Sequence, residues 1–326
     1  MSSFTQEKRF LHLADAVIVL SKSTMDILKG DYKVSQRKMH LVYNGKANDV
    51  GGVTNLADSK RQILFVGRLE DMKGVSYLID AFAQIADKYP NLNLTIVGDG
   101  DFQSYLSQTR KLYGRVSFLG RMDSNEVEEI YQQAYIGVIP SFYEQCSYSA
   151  IEMMRHGIPL IGTDSGGLSE MLEATPELRI HIDEINFNEI DFVSQIASRL
   201  ELLLSDDRIH QRMSNKVKKL YKERYTEANM IRSIQKVLST TSKQQISSDY
   251  LPYIDEHMID LINRHPDIGT DFYGLSGIGA YLWWRVLTLE SESKVHKQQL
   301  ALIKEHLIYY VDWVEEYAQI EPLTPE

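Results

Sequence analysis

An α/β fold with a doubly wound, Rossmann-like parallel sheet is predicted for residues 61–182, because short apolar strand patterns alternate there with helical ones. The strand candidates carry Ile, Leu and Val at consecutive positions, which is typical of parallel strands covered on both faces. The candidates are QILFVG (62–67), LNLTIVG (92–98), VSFLG (116–120), YIGVIP (135–140), IPLIGT (158–163) and RIHI (179–182). A strand–helix alternation of this length favours right-handed crossovers.

The helices between these strands have their own signals. Apolar residues repeat at helical spacing from Val75 to Ala86, and Pro90 ends that pattern. Asp123-Ser124 and Ser147 each precede a further helical pattern and are typical helix starts. Residues 187–240 are predicted to be helical throughout.

The two ends of the chain differ from this central part. Residues 1–45 combine a strand pattern (14–21), a short helix and a returning strand pattern (38–45) that ends in an Asn-Gly turn. About 45 residues cannot bury a core of their own, so we expect a remnant of a larger N-terminal domain. Residues 239–249 form a polar linker, and 241–326 are predicted to be a helical extension of unknown role. The central domain is expected at 46–240.

Composition excludes several classes of protein. The 326 residues carry a formal net charge of −10, which disfavours a nucleic-acid binder and, less firmly, attachment to an anionic membrane. Cys146 is the only cysteine, and the nine histidines show no metal-ligand spacing, so neither a disulfide nor a metal site is expected. No apolar run is long enough to span a bilayer, and the N-terminus has no secretory signal pattern. A soluble, cytoplasmic protein is therefore expected.

Glycines and polar residues gather in the loops that follow the predicted strands. In a doubly wound sheet the carboxyl ends of the strands form one edge, and ligands bind there. The loops concerned contain Gly67-Arg68, Gly98-Asp99-Gly100, Gly120-Arg121, residues 141–147 and residues 163–167. Turns between strands and helices use glycine in any case, but five such loops in succession indicate the edge that binds a ligand.

Two pairs of charged residues lie in these loops. Arg68 and Lys73 flank a predicted helix start, where two cations and free backbone amides suit a diphosphate; two solvated basic side chains are the alternative. Glu144 and Glu152 stand eight positions apart around the next such helix start. A carboxylate there can accept hydrogen bonds from vicinal sugar hydroxyls, but the spacing alone favours ordinary surface charge.

Taken in order, the motifs resemble the nucleotide-sugar-binding domain of retaining GT-B glycosyltransferases of group 1, also called family 4. The resemblance spans about residues 10–240 and is strongest over 62–172. It rests on VGRLEDMKG (GR-x4-KG), IVGDGD, FLGRM, the E-x7-E spacing of Glu144 and Glu152, and the GIP-x3-T-x2-GG-x2-E pattern that ends at Glu170. It implies a hexosyltransferase that binds a nucleotide-sugar donor and an acceptor of unknown identity.

The resemblance also implies roles for individual residues. Arg68 and Lys73 would bind the donor diphosphate, Glu152 would hold the ribose hydroxyls, and Glu144 would hold the donor sugar. The catalytic residues implied are thus Arg68, Lys73 and Glu144. The donor-binding residues implied are Gly67, Gly120, Arg121, Met122, Cys146, Ser147, Tyr148, Glu152, Gly166 and Gly167, with Glu170 beside them.

No metal and no cofactor are expected, since enzymes of this type usually need none and the nucleotide-sugar is a substrate. Asp99-Gly100-Asp101 has the D-x-D form that binds manganese in an unrelated glycosyltransferase fold. We interpret it as a turn after the second strand, because Arg68 and Lys73 already neutralise the phosphates.

Two departures from the family pattern affect the prediction. Cys146-Ser147 replaces a Phe-Gly-like pair, which keeps a phosphate-binding amide but leaves the sugar uncertain. Most of the N-terminal acceptor domain is not found in residues 1–45, so we expect this chain to bind donor but to transfer poorly unless a separate chain supplies that domain. A non-catalytic nucleotide-binding or assembly subunit and a nucleotide-sugar epimerase remain the alternatives.

The extension has a resemblance of its own. GLSGIGAYLWWRV (274–286) resembles the first helical repeat of lanthionine cyclase-like α/α toroids. Those proteins hold zinc through Cys and His, and this segment contains no Cys, so no cyclase chemistry is expected.

Overall fold

The computed structural model describes residues 3–48, 61–183 and 185–241. These residues belong to the first of two compact units, Met1–Ser242. The predicted extension at 241–326 lies outside the described residues, apart from Thr241. No helix within the described ranges combines the length and the apolarity needed to cross a bilayer.

Eight strands are present in the described residues. β1 and β2 form a small parallel pair, and the other six form the main sheet, in which every neighbouring pair is parallel. The strands are β1 (Val17–Val19), β2 (Met39–Leu41), β3 (Gln62–Val66), β4 (Asn93–Val97), β5 (Val116–Gly120), β6 (Ile136–Ile139), β7 (Leu160–Thr163) and β8 (Arg179–Ile180). The predicted parallel sheet is confirmed.

Helices connect and cover these strands. The helices are α1 (Ser3–Leu13), α2 (Lys22–Gly30), α3 (Val75–Ile85), α4 (Leu106–Thr109), α5 (Ser124–Gln133), α6 (Tyr148–His156), α7 (Leu168–Met171), α8 (Glu189–Ser205), α9 (Asp207–Arg224) and α10 (Glu227–Thr240). The helix starts predicted at Asp123-Ser124 and Ser147 are confirmed, because Asp123 and Ser147 cap α5 and α6 with their side chains.

The main sheet is doubly wound. Its strand order is β5-β4-β3-β6-β7-β8, so the chain builds outward from β3 in one direction and then returns to build outward from β6 in the other. The order reverses between β3 and β6, and the crevice outside the carboxyl ends of these two strands is where open α/β sheets bind ligands.

Both faces of the sheet are buried, which explains why its strands lack polar alternation. Ile63 and Phe65 point into a core shared with α3 and α8, whereas Leu64 points into a second core shared with α6 and α9. All three side chains are at most 1% exposed. Consecutive apolar residues are therefore needed, since successive side chains alternate between the two faces.

The last strand is shorter than predicted. The pattern RIHI predicts a strand over 179–182, but β8 ends at Ile180. Beyond it, the amide of His181 donates to Gln195 Oε1 (2.9 Å) and that of Ile182 to Asp164 Oδ1 (3.0 Å). Side-chain acceptors thus replace the neighbouring strand, and the ladder stops although the residues still favour a strand.

The last residues of the N-terminal segment are hydrogen-bonded to the turn between α9 and α10. β1, α2 and β2 form a β–α–β unit in which Val17 pairs with Met39. After β2 the chain reaches Gly45 and Lys46, and the Lys46 amide and carbonyl pair with Tyr225 O (3.0 Å) and Glu227 N (2.9 Å). This bridge fixes residues 45–46 to the turn between α9 and α10.

A polar cluster lies at the amino ends of β3 and β6, at the edge of the main sheet opposite the carboxyl ends of the strands. The rings of Tyr135 and His210 stack 3.8 Å apart, and His210 Nε2 lies 2.8 Å from the carbonyl of Tyr135. The Arg61 guanidinium lies over the tyrosine ring, and Asp207 accepts hydrogen bonds from both Arg61 (2.7 Å) and Tyr135 (3.0 Å). Burial raises the pKa of Tyr135 to about 12. The cluster ties α9 to the first residues of β3 and β6.

The half-buried His210 of this cluster makes the stability of the fold depend on pH. Burial lowers the pKa of His210 below its ordinary value of 6.5, so the unfolded chain takes up a proton there before the folded protein does. The stabilisation is present above about pH 6.5 and is lost as pH falls towards the folded-state pKa. We expect His210→Gln to destabilise the protein more at pH 7.5 than at pH 5.5, measured by urea unfolding.

His181 provides a control of opposite sign. The hydrogen bond to Asp164 raises the pKa of this exposed histidine, so its contribution is present below pH 6.5 and is lost at higher pH. The effect of His181→Gln should therefore be larger at pH 5.5. An equal effect of His210→Gln at both pH values would contradict the assignment.

Candidate functional site

The loops after β3 and β6 pack directly against each other at the point where the strand order reverses. The amide of Phe142 donates to Met72 O (2.9 Å). Gly74 has a φ of +68°, and a Cβ at this position would lie 2.3 Å from the carbonyl oxygen of Pro140. Only glycine allows this approach, which brings the residues before Gly74 next to those after Pro140.

Lys73 and Glu144 face each other across this contact. Lys73 Nζ lies 2.6 Å from Glu144 Oε1, and the two side chains are 20% and 16% exposed. Lys73 ends a 3-10 turn over 71–73, and Glu144 follows β6. An ammonium has three donors, so Lys73 can hold Glu144 and still bind an anion in the crevice.

Arg68, the other predicted cation, is placed differently. Its guanidinium forms an ion pair with Glu70 (2.7 Å), and its side chain is 71% exposed. The backbone before it is fixed, because the amide of Gly67 donates to Val97 O (2.9 Å). The structure thus brings Lys73 together with Glu144, whereas it pairs Arg68 with its own loop.

The start of α6 follows Glu144 and has the geometry of an anion site. Ser147 is the N-cap residue and its hydroxyl accepts from the amide of Ala150, so α6 begins at Tyr148. The aligned peptide dipoles and free amides of a helix start attract negative charge. Cys146 beside it is buried, and burial raises the pKa of its thiol to about 11. The thiol is therefore neutral at physiological pH.

Glu152, one turn further along α6, is held from two sides. Lys46 Nζ lies 2.8 Å from its Oε1, and the Tyr131 hydroxyl donates to its Oε2 (2.9 Å). Burial, followed by the charge of Glu152, raises the pKa of Tyr131 well above its ordinary range, so the tyrosine remains a donor. A carboxylate accepts about four hydrogen bonds, which leaves capacity on Glu152 for two hydroxyls of a ligand.

Glu152 faces a cavity of about 480 Å³ beside the carboxyl end of β3. Its lining combines charged, polar and apolar side chains, as expected for a small-molecule site. The lining residues are Lys46, Val66, Met122, Asp123, Ser124, Asn125, Val127, Glu128, Tyr131, Glu152 and Arg155. Met122 is thus part of the wall, while Arg121 before it is exposed.

Gly166 and Gly167 pack on the loop that contains Glu144. The amide of Gly167 donates to Glu144 O (2.7 Å), and a Cβ on Gly167 would lie 1.6 Å from the carbonyl oxygen of Gln145. The pair therefore allows close contact between two loops at the carboxyl edge. Glu170, three residues on, directs its carboxylate to the amides of Lys22 and Ser23 and to the Tyr43 hydroxyl.

Asp99, Gly100 and Asp101 form a turn. Asp99 Oδ1 accepts from the amide of Gly100 (2.9 Å), and Asp101 Oδ1 accepts from that of Gln103 (3.0 Å). Gly100 also pairs with Leu69 as an isolated bridge. These contacts agree with the interpretation of D-x-D as a turn. Within the described residues, no cluster of three His, Cys, Asp or Glu side chains could hold a metal ion.

Sequence reasoning missed the partners of Glu152 and Glu170. Lys46 and Tyr43 lie more than 100 positions before the carboxylates that they contact, and Tyr131 belongs to a different helix. No local pattern joins such positions. The available signal was the short stretch YNGK, which places Tyr43, Asn44 and Lys46 close together in sequence; the Asn-Gly turn predicted there is not formed.

Comparison with protein families gives a match to the model described as glycosyl transferases group 1, over residues 52–220. An uncharacterized glycosyltransferase of Methanocaldococcus jannaschii is 29% identical over 174 residues, which are 48% of this chain and 44% of the relative. The N-acetyl-alpha-D-glucosaminyl L-malate synthase of Bacillus anthracis is 27% identical over 154 residues, 46% of this chain and 38% of that enzyme. The matched region spans less than half the length of these two relatives.

Solved structures share the fold. Sucrose-phosphate synthase from Thermosynechococcus elongatus superposes with a TM-score of 0.61 at 25% identity, over 72% of this chain and 61% of that protein. HepE of Anabaena, solved in complex with UDP and glucose, gives a TM-score of 0.59 at 21% identity, over 73% and 68% of the two chains. The predicted GT-B architecture is therefore confirmed.

Proposed function

Because this chain belongs to the group 1 glycosyltransferase family, we propose that residues 46–240 bind the donor of a hexosyl transfer: a nucleotide-activated sugar whose glycosyl group passes to an acceptor. The proposal depends most on the groups that lie together outside the carboxyl ends of β3 and β6, where the strand order reverses. A cation–carboxylate pair and the start of α6 lie there, and α6 carries Glu152 on the wall of a polar cavity.

The diphosphate is assigned to Lys73 and the start of α6. Lys73 provides a positive charge at the crevice, and the amides after Cys146 provide neutral donors. Both favour an anion, and both are fixed by backbone contacts before the ligand arrives. Arg68 adds a second, more mobile charge, because its pair with Glu70 is exposed.

The ribose is assigned to Glu152 and the sugar to Glu144. Glu152 keeps two acceptor positions towards the cavity while Lys46 and Tyr131 fix its carboxylate. Vicinal hydroxyls present two donors at a spacing that suits one carboxylate. Glu144 lies between Lys73 and the helix start, which places an acceptor beside the phosphates. The neighbouring Cys146-Ser147 backbone lies on the same side.

The chemistry requires stabilisation of the leaving group. The bond that breaks joins the anomeric carbon of the sugar to a diphosphate oxygen, so negative charge grows on the diphosphate. Lys73 and the α6 amides would stabilise this charge in the transition state. We extend the proposal to transfer with retention and without a metal, as the motif resemblance implies, since these groups supply the neutralisation that a metal would otherwise provide.

The acceptor site is proposed to lie outside the described residues, in an N-terminal domain or a separate chain. Large apolar side chains of the N-terminal segment support this, because Phe10, Leu13 and Ile18 are 72%, 69% and 44% exposed. A surface of this kind is one that another domain would cover. Family membership favours this transferase over an epimerase or a purely assembling subunit.

Nucleotide binding by the full chain tests the proposal. We expect one of UDP, GDP, ADP and TDP to raise the melting temperature, with UDP tested first because HepE was solved with it. At a hundredfold excess over Kd the stabilisation is about 2.7 kcal/mol, or roughly 5–10 °C. EDTA should not abolish the shift.

Glu152→Ala is expected to remove most of this shift, because the ribose loses its acceptor. Glu201→Ala is the matched control, since Glu201 is also a glutamate in a helix, α8, and its carboxylate also pairs with a lysine, Lys88. The proposal fails if none of the four nucleotides stabilises the protein, or if Glu152→Ala keeps the full shift.

A further inference from the structure

The carboxylate of Glu170 joins the N-terminal segment to the loops of the proposed donor site. It accepts from the amide of Lys22 (2.6 Å), from that of Ser23 (3.3 Å) and from the hydroxyl of Tyr43 (2.7 Å). Two of these donors belong to the first turn of α2, and the third follows β2. One side chain therefore holds two elements of the segment that precedes the main sheet.

Glu170 is well matched to these donors. The first amides of a helix have no intrahelical partner, and a carboxylate near a helix start is stabilised by the peptide dipoles. Tyr43 is half-buried, and burial, together with the hydrogen bond to Glu170, raises the pKa of its hydroxyl. The tyrosine hydroxyl therefore stays protonated and donates a hydrogen bond to Glu170 across the physiological pH range.

On its other side, Glu170 is connected to the Glu144 loop through α7. The amide of Gly167, the residue before this helix, donates to Glu144 O. The contact between Gly167 and the Gln145 carbonyl is too close for any side chain, and Gly166 packs in the same way on Glu144 O, which a Cβ would approach to 2.5 Å. A shift of α7 must therefore move the backbone at 144–145.

A second contact fixes the same loop from the segment after β2. The side-chain amide of Asn44 donates to Cys146 O (2.9 Å). The loop over 144–147 is thus held at one end through Gly167 and Glu170 and at the other through Asn44. Tyr43 and Asn44 are adjacent in the chain, so both attachments lead to one short segment.

We propose that Glu170 is a positioning residue for the donor diphosphate: it sets the place of the 144–147 loop, and hence of the α6 start, without touching the donor. The inference rests on the proposed function, because it concerns the same loop. It assigns to the carboxylate a role in aligning the N-terminal segment with the diphosphate site, rather than a place in the lining of the donor pocket.

The test compares two nucleotides in the full chain. Isothermal titration uses the nucleoside diphosphate that stabilises the wild-type protein most, chosen from UDP, GDP, ADP and TDP, and the monophosphate of the same base. Since the 144–147 loop serves the diphosphate whereas Glu152 serves the ribose, we expect Glu170→Ala to weaken the diphosphate about tenfold, as for one lost hydrogen-bonded contact. The monophosphate should change by less than about threefold.

Three further variants separate positioning from a general loss of structure. Glu170→Gln keeps an oxygen that accepts from the two amides, so it should restore most of the diphosphate affinity. Tyr43→Phe removes one hydroxyl and should weaken the diphosphate selectively, even if Glu170→Ala folds poorly. Glu177→Ala is the matched control, because Glu177 lies nearby in sequence but pairs with Lys216; it should bind both nucleotides like the wild-type protein.

The outcomes distinguish this inference from the proposed function. Unchanged diphosphate affinity in Glu170→Ala and Tyr43→Phe, with Glu152→Ala still defective, overturns only the role of Glu170. Equal weakening of both nucleotides in Tyr43→Phe and Glu170→Gln also overturns it, since that result means a general structural role. A wild-type chain that binds no nucleotide overturns the proposed function and this inference together.

Discussion

Replacing Arg155 with methionine is expected to lower the free energy of unfolding by about 3 kcal/mol, the lower end of the range for breaking a buried ion pair. The Arg155 side chain is only 4% exposed, and its guanidinium pairs with Glu128 and donates to Ala47 O (3.3 Å). Without it, the ion-pair partner left to Glu128 within the described residues is His156, which lies 2.9 Å away. Because Glu128 is 27% exposed, water offsets part of the loss.

Urea unfolding measures this effect: the urea concentration at the midpoint of the transition should fall, while the slope of the free energy against urea concentration stays the same. Arg208→Met is the matched control, because Arg208 also pairs with a carboxylate, that of Asp206, but its side chain is 93% exposed; its midpoint should not move. A double variant that adds Glu128→Leu should recover part of the stability, since it removes the uncompensated charge. A midpoint for Arg155→Met equal to that of the wild-type protein would contradict the prediction.

Replacing Lys73 with methionine is expected to weaken nucleoside diphosphate binding by about 10- to 100-fold, as for the loss of one charge-assisted hydrogen bond. Methionine keeps an unbranched side chain as far as Cε but removes the ammonium that lies 2.6 Å from Glu144. Glu144 then adds an uncompensated negative charge beside the diphosphate. Loss of attraction and gain of repulsion act in the same direction.

Titration calorimetry at two salt concentrations measures this loss. If the lost interaction is electrostatic, the diphosphate affinity of the variant should depend less on salt concentration than that of the wild-type protein, since salt screens exposed charges. Lys88→Met is the matched control, because Lys88 also ends a 3-10 turn and pairs with a glutamate, Glu201 (2.7 Å). Diphosphate affinity equal to wild type in Lys73→Met would remove Lys73 from the site.

Much of the fold was predictable because its strands are covered on both faces. The run Ile63-Leu64-Phe65 has no polar position, as expected of a strand covered by helices on both faces. Prediction failed at the end of β8, where Asp164 and Gln195 replace a strand partner. These acceptors come from different parts of the chain, so no local preference reveals them.

The motif residues of the site could be predicted from the sequence, but the residues that hold them in place could not. Lys73 and Glu144 have a spacing that resembles a known pattern, and the structure places them in contact. The same pattern paired Lys73 with Arg68, whose guanidinium instead turns to Glu70. No local pattern connects Lys46 or Tyr131 with Glu152, because these contacts form only when the chain has folded.

Cys146 gives the 144–147 loop a built-in probe. It is the only thiol among the 326 residues, and it is buried beside the start of α6 with its pKa raised to about 11. A thiol in this state reacts with a maleimide only when the loop opens and admits water. The rate at which a maleimide labels the wild-type protein therefore reports how often this loop opens, and no cysteine has to be introduced.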